Sequence, residues 1–113
     1  MFFKKRPKVN IKELDEIIEY LTHNTTVECN PYPIYAPEVE RSLGLLEQDF
    51  YYQAHYDKLQ RKPIEEMNLD EIATMLTFIS RGERFCDGHI ASYVESGDLL
   101  KLMVRLRGLC GGS

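Results

Sequence analysis

Apolar residues recur at helical spacing along most of this sequence. In the first clear pattern they fall at i, i+3, i+4 and i+7: Leu14, Ile17, Ile18 and Leu21. This spacing places one apolar stripe on a single helix face. Asn10 stands at the N-cap position, and Glu13 follows three residues later at the capping-box position. The pattern predicts a helix over residues 11–22.

Prolines and tyrosines dominate the segment that follows, residues 27–37. Pro31, Pro33 and Pro37 each remove a backbone donor and bias the preceding residue away from helical conformation. We therefore expect a loop here rather than a short edge strand. Pro37 also suits the first turn of a helix, so the next helix is predicted to begin there.

The second helical pattern is long, and its continuity is open. Its apolar face begins with Val39, Leu43, Leu46 and Phe50. The pattern continues to Leu59, which predicts one helix of about 24 residues over 38–61. Gly44 weakens the first half by about 1 kcal/mol relative to alanine, and Asp49 is a suitable cap for a second segment. A break near 47–49 is therefore the alternative.

The third predicted helix, residues 69–81, repeats the devices of the first. Asn68 is at the N-cap and Glu71 at the capping-box position. The hydrophobic-staple positions are also apolar: Met67 and Ile72. Apolar residues leave this helix little polar face, which is typical of a buried helix. Gly82 follows at the place of a C-terminal glycine.

Two further helices complete the pattern. One covers roughly 84–96, where Gly97 ends it, and Asp98 is predicted to cap the other. The last stripe is leucine-rich: Leu99, Leu102, Met103, Leu106 and Leu109. The glycines from Gly108 onward predict a loose end.

These elements predict an all-α fold, a compact bundle of five or six helices around the helix at 69–81. At 113 residues and 13.2 kDa the chain has the size of one domain. We predict a helical domain over 10–109, with a basic tail at 1–9 and a flexible tail at 110–113.

Charge is unevenly spread along the chain. The first eight residues carry +4, whereas residues 9–100 hold seven basic and all 18 acidic side chains and carry −11. An acidic body repels nucleic acid. We therefore expect no nucleic-acid partner and interpret the basic start as a solvated tail.

The cysteines and the length of the apolar runs indicate the cellular location of the protein. The chain has three cysteines, far apart in sequence: Cys29, Cys86 and Cys110. An odd number at such spacing fits neither a disulfide framework nor a CxxC metal site. No apolar run approaches the roughly 20 residues of a membrane span, and the start lacks the order of a secretory signal. We expect a cytoplasmic chain with reduced thiols, no metal and no cofactor, and with Cys86 in the core.

Residues 81–89 concentrate ionisable side chains between two mostly apolar helices: Arg81, Glu83, Arg84, Asp87 and His89. Burying unpaired charge is costly, so this corner is either exposed or held by an ion-pair network. In the structural interpretation, Arg81 or Arg84 binds the carbonyls at the helix end, and Glu83 or Asp87 pairs with the arginine. In the functional one, the two arginines and the N-terminus of the next helix bind a small anion or nucleotide-type ligand.

The substitution Arg84→Ala separates these interpretations. A structural junction would leave a buried carboxylate unpaired and lose about 3–5 kcal/mol, whereas an open site would change stability by no more than about 0.5 kcal/mol. We favour the larger loss of stability, because the last carbonyl groups of the buried third helix need hydrogen-bond donors from nearby residues.

The same segment carries a resemblance. Arg81-Gly82-Glu83-Arg84-Phe85, followed by the Gly97 turn and a leucine-rich basic helix, resembles a family of small bacterial and phage proteins of unknown function marked by this signature. The resemblance covers roughly residues 68–109. It implies a small helical domain without an assigned activity, and it draws attention to Asp87 and Gly88 beside the signature.

A second cluster lies in the long helical pattern: Tyr51, Tyr52, His55 and Tyr56. These residues are either partly buried, with hydroxyls at the surface, or form a partner surface, since tyrosine is enriched at interfaces. No catalytic set is complete. Cys86 and His89 could face each other, but a thiol buried on the apolar side of the helix is not a reactive nucleophile. The sequence thus favours a non-enzymatic protein-interaction or self-associating module, such as a homodimer.

Overall fold

The structure, a computed structural model, describes residues 9–29, 31–46, 59, 61–84 and 86–111. Five α-helices have bounds in these ranges: α1 (Ile11–His23), α2 (Pro37–Leu43), α3 (Leu69–Gly82), α4 (His89–Ser96) and α5 (Asp98–Gly111). A 3₁₀ helix (Ile64–Glu66) precedes α3, and two short strands, β1 (Glu28–Cys29) and β2 (Pro33–Ile34), lie between α1 and α2. The predicted all-α bundle is confirmed. Within the described part, no helix is long and apolar enough to cross a bilayer.

The core is formed mainly by α1, α3 and α5. In α3 the six successive residues Ile72–Thr77 are all buried, as the lack of a polar face predicts. The hydroxyls of Thr74 and Thr77 bind carbonyls one turn earlier in the same helix, at 2.8 Å each, so their burial leaves no unpaired donor. Four α5 side chains are fully buried: Leu99, Leu102, Met103 and Leu106.

Local capping starts α1 and α3 where the sequence predicts. In α3, the Asn68 side chain accepts the Glu71 N–H, and the Glu71 carboxylate accepts the Asn68 N–H, both at 2.9 Å. Lys62 reaches both oxygens of the same carboxylate at 2.9 Å. In α1, Asn10 accepts the Glu13 N–H at 3.1 Å, but the Glu13 carboxylate lies 3.5 Å from Arg41 on α2 instead of closing the box.

The Pro-rich segment is a small antiparallel hairpin and not the predicted loop. Glu28 lies opposite Ile34, and Cys29 lies opposite Pro33. Each strand is two residues long. Proline has no N–H to extend the ladder, which accounts for the short pairing and for the weakness of the strand signal in the sequence.

The prediction of one long helix from Pro37 is wrong. The helix α2 ends at Leu43, and the N–H of Gly44 turns back to the carbonyl of Arg41 at 3.1 Å. The break lies at the glycine, a few residues before the predicted alternative, because glycine is a poor residue for continuing a helix. Leu59 is helical and buried.

The last two helices also differ from prediction at their ends. The helix α4 begins at His89 and not near residue 84, because Gly88 adopts a left-handed conformation with φ of 90° and serves as the N-cap. For α5, the carbonyl of Gly97 accepts the N–H of Lys101 at 3.0 Å, so Gly97 is the cap and Asp98 the first helical residue. This helix continues through Gly108 to Gly111, held to α1 by a 2.8 Å bond from Arg107 to Asp15.

Candidate functional site

The carboxylate of Glu83 binds the start of α4. Its Oε2 accepts a hydrogen bond from the N–H of Gly88 at 3.0 Å, and its Oε1 accepts one from the N–H of Ile90 at 2.8 Å. The first N–H groups of a helix lack partners within the helix and carry partial positive charge. Glu83 therefore takes the place that an external anion would take at this helix end.

Tyr35 and a backbone carbonyl complete this helix start. The Tyr35 hydroxyl accepts the N–H of Ala91 at 3.2 Å and hydrogen-bonds to Glu83. The carbonyl of Cys86 accepts the N–H of His89 at 3.1 Å. All four donors from Gly88 to Ala91 are thus bound inside the protein. An anion at this corner would have to compete with Glu83 for the helix end on which the ligand interpretation depends.

The same contacts perturb two side chains in opposite directions. Burial by itself would raise the pKa of the Glu83 carboxyl, but the Ile90 and Gly88 amides, the Tyr35 hydroxyl and the nearby His89 outweigh it and hold that pKa below its ordinary value. Burial, together with the bond to Glu83, raises the pKa of the Tyr35 hydroxyl above its ordinary value. Glu83 is therefore ionised and Tyr35 neutral at neutral pH, as their hydrogen bond requires.

The ring of the half-buried His89 packs between α3 and α4. Its ring meets the rings of Phe78 and Tyr93 edge-on, with centroids 5.0 and 5.2 Å away. The backbone of Gly82 forms another wall, since a Cβ there would lie 2.7 Å from Cγ of His89 and closer still to Cδ2. The buried Nε2 has no hydrogen-bond partner among the described residues. Gly82 is the last residue of α3, as the sequence predicts, and close packing against His89 is a second reason for glycine there.

The remaining polar residues of the corner face solvent. Arg81, Arg84 and Asp87 are exposed, and the backbone N–H of Arg84 donates to the Arg81 carbonyl at 3.1 Å. Within the described part of the chain no ion pair joins Arg84 to Glu83 or Asp87, so the predicted pairing is corrected. The Glu83 carboxylate turns to the amides of α4 instead. Cys86 is exposed too, so its predicted place in the core is wrong. It lies in the turn before Gly88 and not on the α4 face.

The hairpin is fastened to α4 at two points. After β2, the Tyr35 hydroxyl binds Ala91. Before β1, the N–H of Val27 donates to Oε2 of Glu95 at 3.0 Å. The tip between these points remains exposed, with 65% of Tyr32 and 56% of Ile34 accessible. We call Tyr32 and Ile34 the hairpin face.

A groove opens beside the hairpin face, with a volume of about 540 Å³. It lies between the end of α1, the hairpin, the start of α2 and the C-terminal half of α4. Its lining includes Tyr20, Val27, Glu28, Tyr35, Val39 and Val94. We call this space the hairpin groove. Among the described residues, no group of three or more His, Cys, Asp and Glu side chains is arranged to hold a metal ion.

A family model matches the chain over residues 12–111. The chain belongs to a family of unknown function, DUF6508. The expectation of a family of unknown function is thereby confirmed. No curated protein and no solved structure matches the chain.

For this DUF6508 chain, the structure joins part of the predicted site and separates the rest. Glu83 and His89 meet at the start of α4, but Arg84 and Asp87 face solvent. The predicted tyrosine cluster, Tyr51, Tyr52, His55 and Tyr56, lies outside the described residues, as do Phe85 and the basic start at 1–8. The interpretation of the corner as ligand site or junction stays a prediction, and the contacts favour a junction.

Tyr35 is the residue of the DUF6508 junction that sequence reasoning missed. Its hydroxyl binds Ala91, which is 56 positions away in sequence, and no local pattern signals such a contact. The exposed hairpin face was missed because Tyr32 and Ile34 have an apolar composition that is typical of packing. The three prolines around them gave the one available signal, an extended segment that does not continue a helix.

We now expect Arg84→Ala to change the free energy of unfolding by no more than about 0.5 kcal/mol, because the side chain is exposed. This replaces the loss of about 3–5 kcal/mol expected from a buried pair. Urea unfolding of parent and variant measures the difference. A loss above about 2 kcal/mol would show that Arg84 holds the junction after all.

Proposed function

We propose that the chain is a non-enzymatic module that binds another protein through the hairpin face. The observation that carries this proposal is the exposure of two large apolar side chains, Tyr32 and Ile34, on a hairpin fastened to the body at both ends. Tyrosine is enriched at the centre of protein interfaces, where a few such residues supply most of the binding energy.

The fastening of the hairpin supports a binding role. A side chain held in place before binding loses less conformational freedom when a partner arrives. Tyr35 and Val27 attach the two ends of the hairpin to α4, so the tip is held on the helical body. The exposed pair also adjoins the hairpin groove, because Ile34 lines that groove. A partner would therefore meet an exposed apolar contact next to a concave surface.

Charge favours a partner other than a second copy. Residues 9–100 carry −11, and like charges that face each other across an interface oppose association. A partner with basic residues would be attracted to the same surface. Self-association through the hairpin face is the competing outcome that the experiment must distinguish.

We also propose a bacterial or phage origin and a cytoplasmic location. The signature at residues 81–85 supports the origin. The free thiols of Cys29 and Cys86 are exposed, and a reducing cytoplasm keeps such thiols from forming disulfides.

Photo-crosslinking from the hairpin tests the proposal. The photoreactive residue p-benzoylphenylalanine replaces Tyr32 in the full chain in cells, and in a control it replaces Glu16, an exposed residue of α1. We expect a discrete crosslinked product from position 32 and none from position 16. Mass spectrometry identifies the second protein, and a product that contains only this chain identifies self-association.

Binding of the purified partner then measures the contribution of the hairpin face. The double variant Tyr32→Ser/Ile34→Ser should bind at least about tenfold more weakly, since truncating a central interface tyrosine commonly loses more than 1.4 kcal/mol. Val104→Ser is the matched control, because Val104 is an exposed apolar residue of α5 with 52% accessibility. Equal affinity of parent and double variant would refute the proposal, and thermal unfolding verifies that both variants fold.

A further inference from the structure

We infer that the hairpin groove binds an arginine or lysine side chain of the partner protein. This inference rests on the proposed function and adds the chemistry of the segment that the hairpin face receives. It assigns two positions of that segment: an apolar residue on Tyr32 and Ile34, and a neighbouring cationic residue in the groove.

The charges around the groove are negative. Among the described residues that line it, Glu28 alone has a charged side chain. The carboxylate of Glu95 lies beside the groove, because its Oε2 accepts the N–H of the lining residue Val27 at 3.0 Å. A concave surface bordered by charges of one sign attracts ligands of the opposite sign. The groove therefore favours a cation.

The walls of the groove suit a cation that has an apolar stem. Tyr20 and Tyr35 contribute aromatic rings, and Val27, Val39 and Val94 contribute aliphatic surface. Arginine and lysine pack their methylene chains on apolar surface while the charged group reaches a polar edge, and their cations are attracted to tyrosine rings. A bare divalent ion fits poorly, since Ca²⁺ takes six to eight oxygen ligands and the groove offers one lining carboxylate.

Internal hydrogen bonds hold these walls. Asn24 donates from Nδ2 to the carbonyl of Tyr20 at 2.8 Å. Tyr35 is fastened to Ala91 at 3.2 Å, and Val27 to Glu95 at 3.0 Å. The Glu28 carboxylate forms no ion pair within the described ranges. The groove thus presents formed walls and an acidic group that a partner cation can neutralise.

The test uses two capped peptides and the full labelled chain. Acetyl-Leu-Arg-Leu-amide carries the cation, and the same peptide with citrulline in place of arginine has nearly the same shape without the charge. Titrations are followed by methyl NMR of Val27, Val39 and Val94. We expect saturable shifts at these three residues with the arginine peptide and at least tenfold weaker binding of the citrulline peptide.

Two variants with the same change in charge locate the effect. Glu28→Gln should weaken binding of the arginine peptide at least tenfold. Glu40→Gln removes the same charge from an exposed position of α2 that does not line the groove, and it should keep the affinity within about twofold, since it leaves only a screened, more distant effect. Equal binding of both peptides, an unchanged affinity in Glu28→Gln, or shifts confined to residues outside the groove would each overturn the inference.

The outcome is distinguishable from that of the proposed function. If the partner depends on Tyr32 and Ile34 but not on Glu28, the interaction surface stands and the cationic inference fails. If the arginine peptide occupies the groove but crosslinking from position 32 finds no protein, the cationic site stands and the interaction module fails.

Discussion

Gly82→Ala should lower the free energy of unfolding by about 1–3 kcal/mol, although alanine is intrinsically better than glycine in a helix. The new Cβ would overlap the ring of His89, with even Cγ only 2.7 Å away. That ring cannot swing aside freely, because Phe78 and Tyr93 meet it edge-on. Either α4 shifts away from α3 or His89 leaves its rotamer, and both disturb packed contacts.

Gly108→Ala is the matched control for this prediction. Gly108 lies within α5, and a Cβ there would meet nothing within 4 Å, so the substitution should raise stability by up to about 1 kcal/mol. Urea unfolding gives both values. In the double variant Gly82→Ala/His89→Ala the overlap is gone, so the two losses should not add. A Gly82→Ala variant as stable as Gly108→Ala would contradict the packing argument.

Glu83→Ala should destabilise the fold by about 2–4 kcal/mol, the sum of a lost helix cap and a lost charged hydrogen bond. The substitution removes the acceptor of the Gly88 and Ile90 amides and a partner of the Tyr35 hydroxyl. Asp87→Ala, which removes an exposed acid of the same turn, should stay within about 0.5 kcal/mol. Equal losses in the two variants would show that Glu83 acts through charge alone.

The dependence of stability on pH provides a second measure of Glu83. Folding lowers its pKa below the ordinary value of 4.5, so its ionised form is favoured in the folded state. The resulting stabilisation is fully present above that ordinary value and is lost as the pH falls through the lowered pKa. The stability difference between parent and Glu83→Gln should therefore narrow in acid. The pKa of Glu71 is also lowered in the folded state. The stability of the Glu83→Gln variant should therefore still decrease in acid.

The starts of α1 and α3 could be predicted from the sequence because their causes are local. The caps at Asn10 and Asn68 act over three residues, and the stripes that bury α1 and α3 follow from the helical period. Both helices begin at the predicted residue. By contrast, the end of α2 depends on two opposing signals. The apolar pattern continues past Gly44, whereas the glycine disfavours a helix, and the sequence pattern does not show which effect is larger.

The sequence by itself determined the fold class, the buried third helix and the concentration of ionisable groups at residues 81–89. Only the tertiary structure decided what those groups do. Glu83 turns inward because the amides of α4 lie within its reach, which leaves Arg84 in solvent. The Tyr35 hydroxyl and the Gly82 backbone take their roles from the positions of Ala91 and His89. Such contacts depend on how elements pack in space, and neither helical period nor capping pattern contains that information.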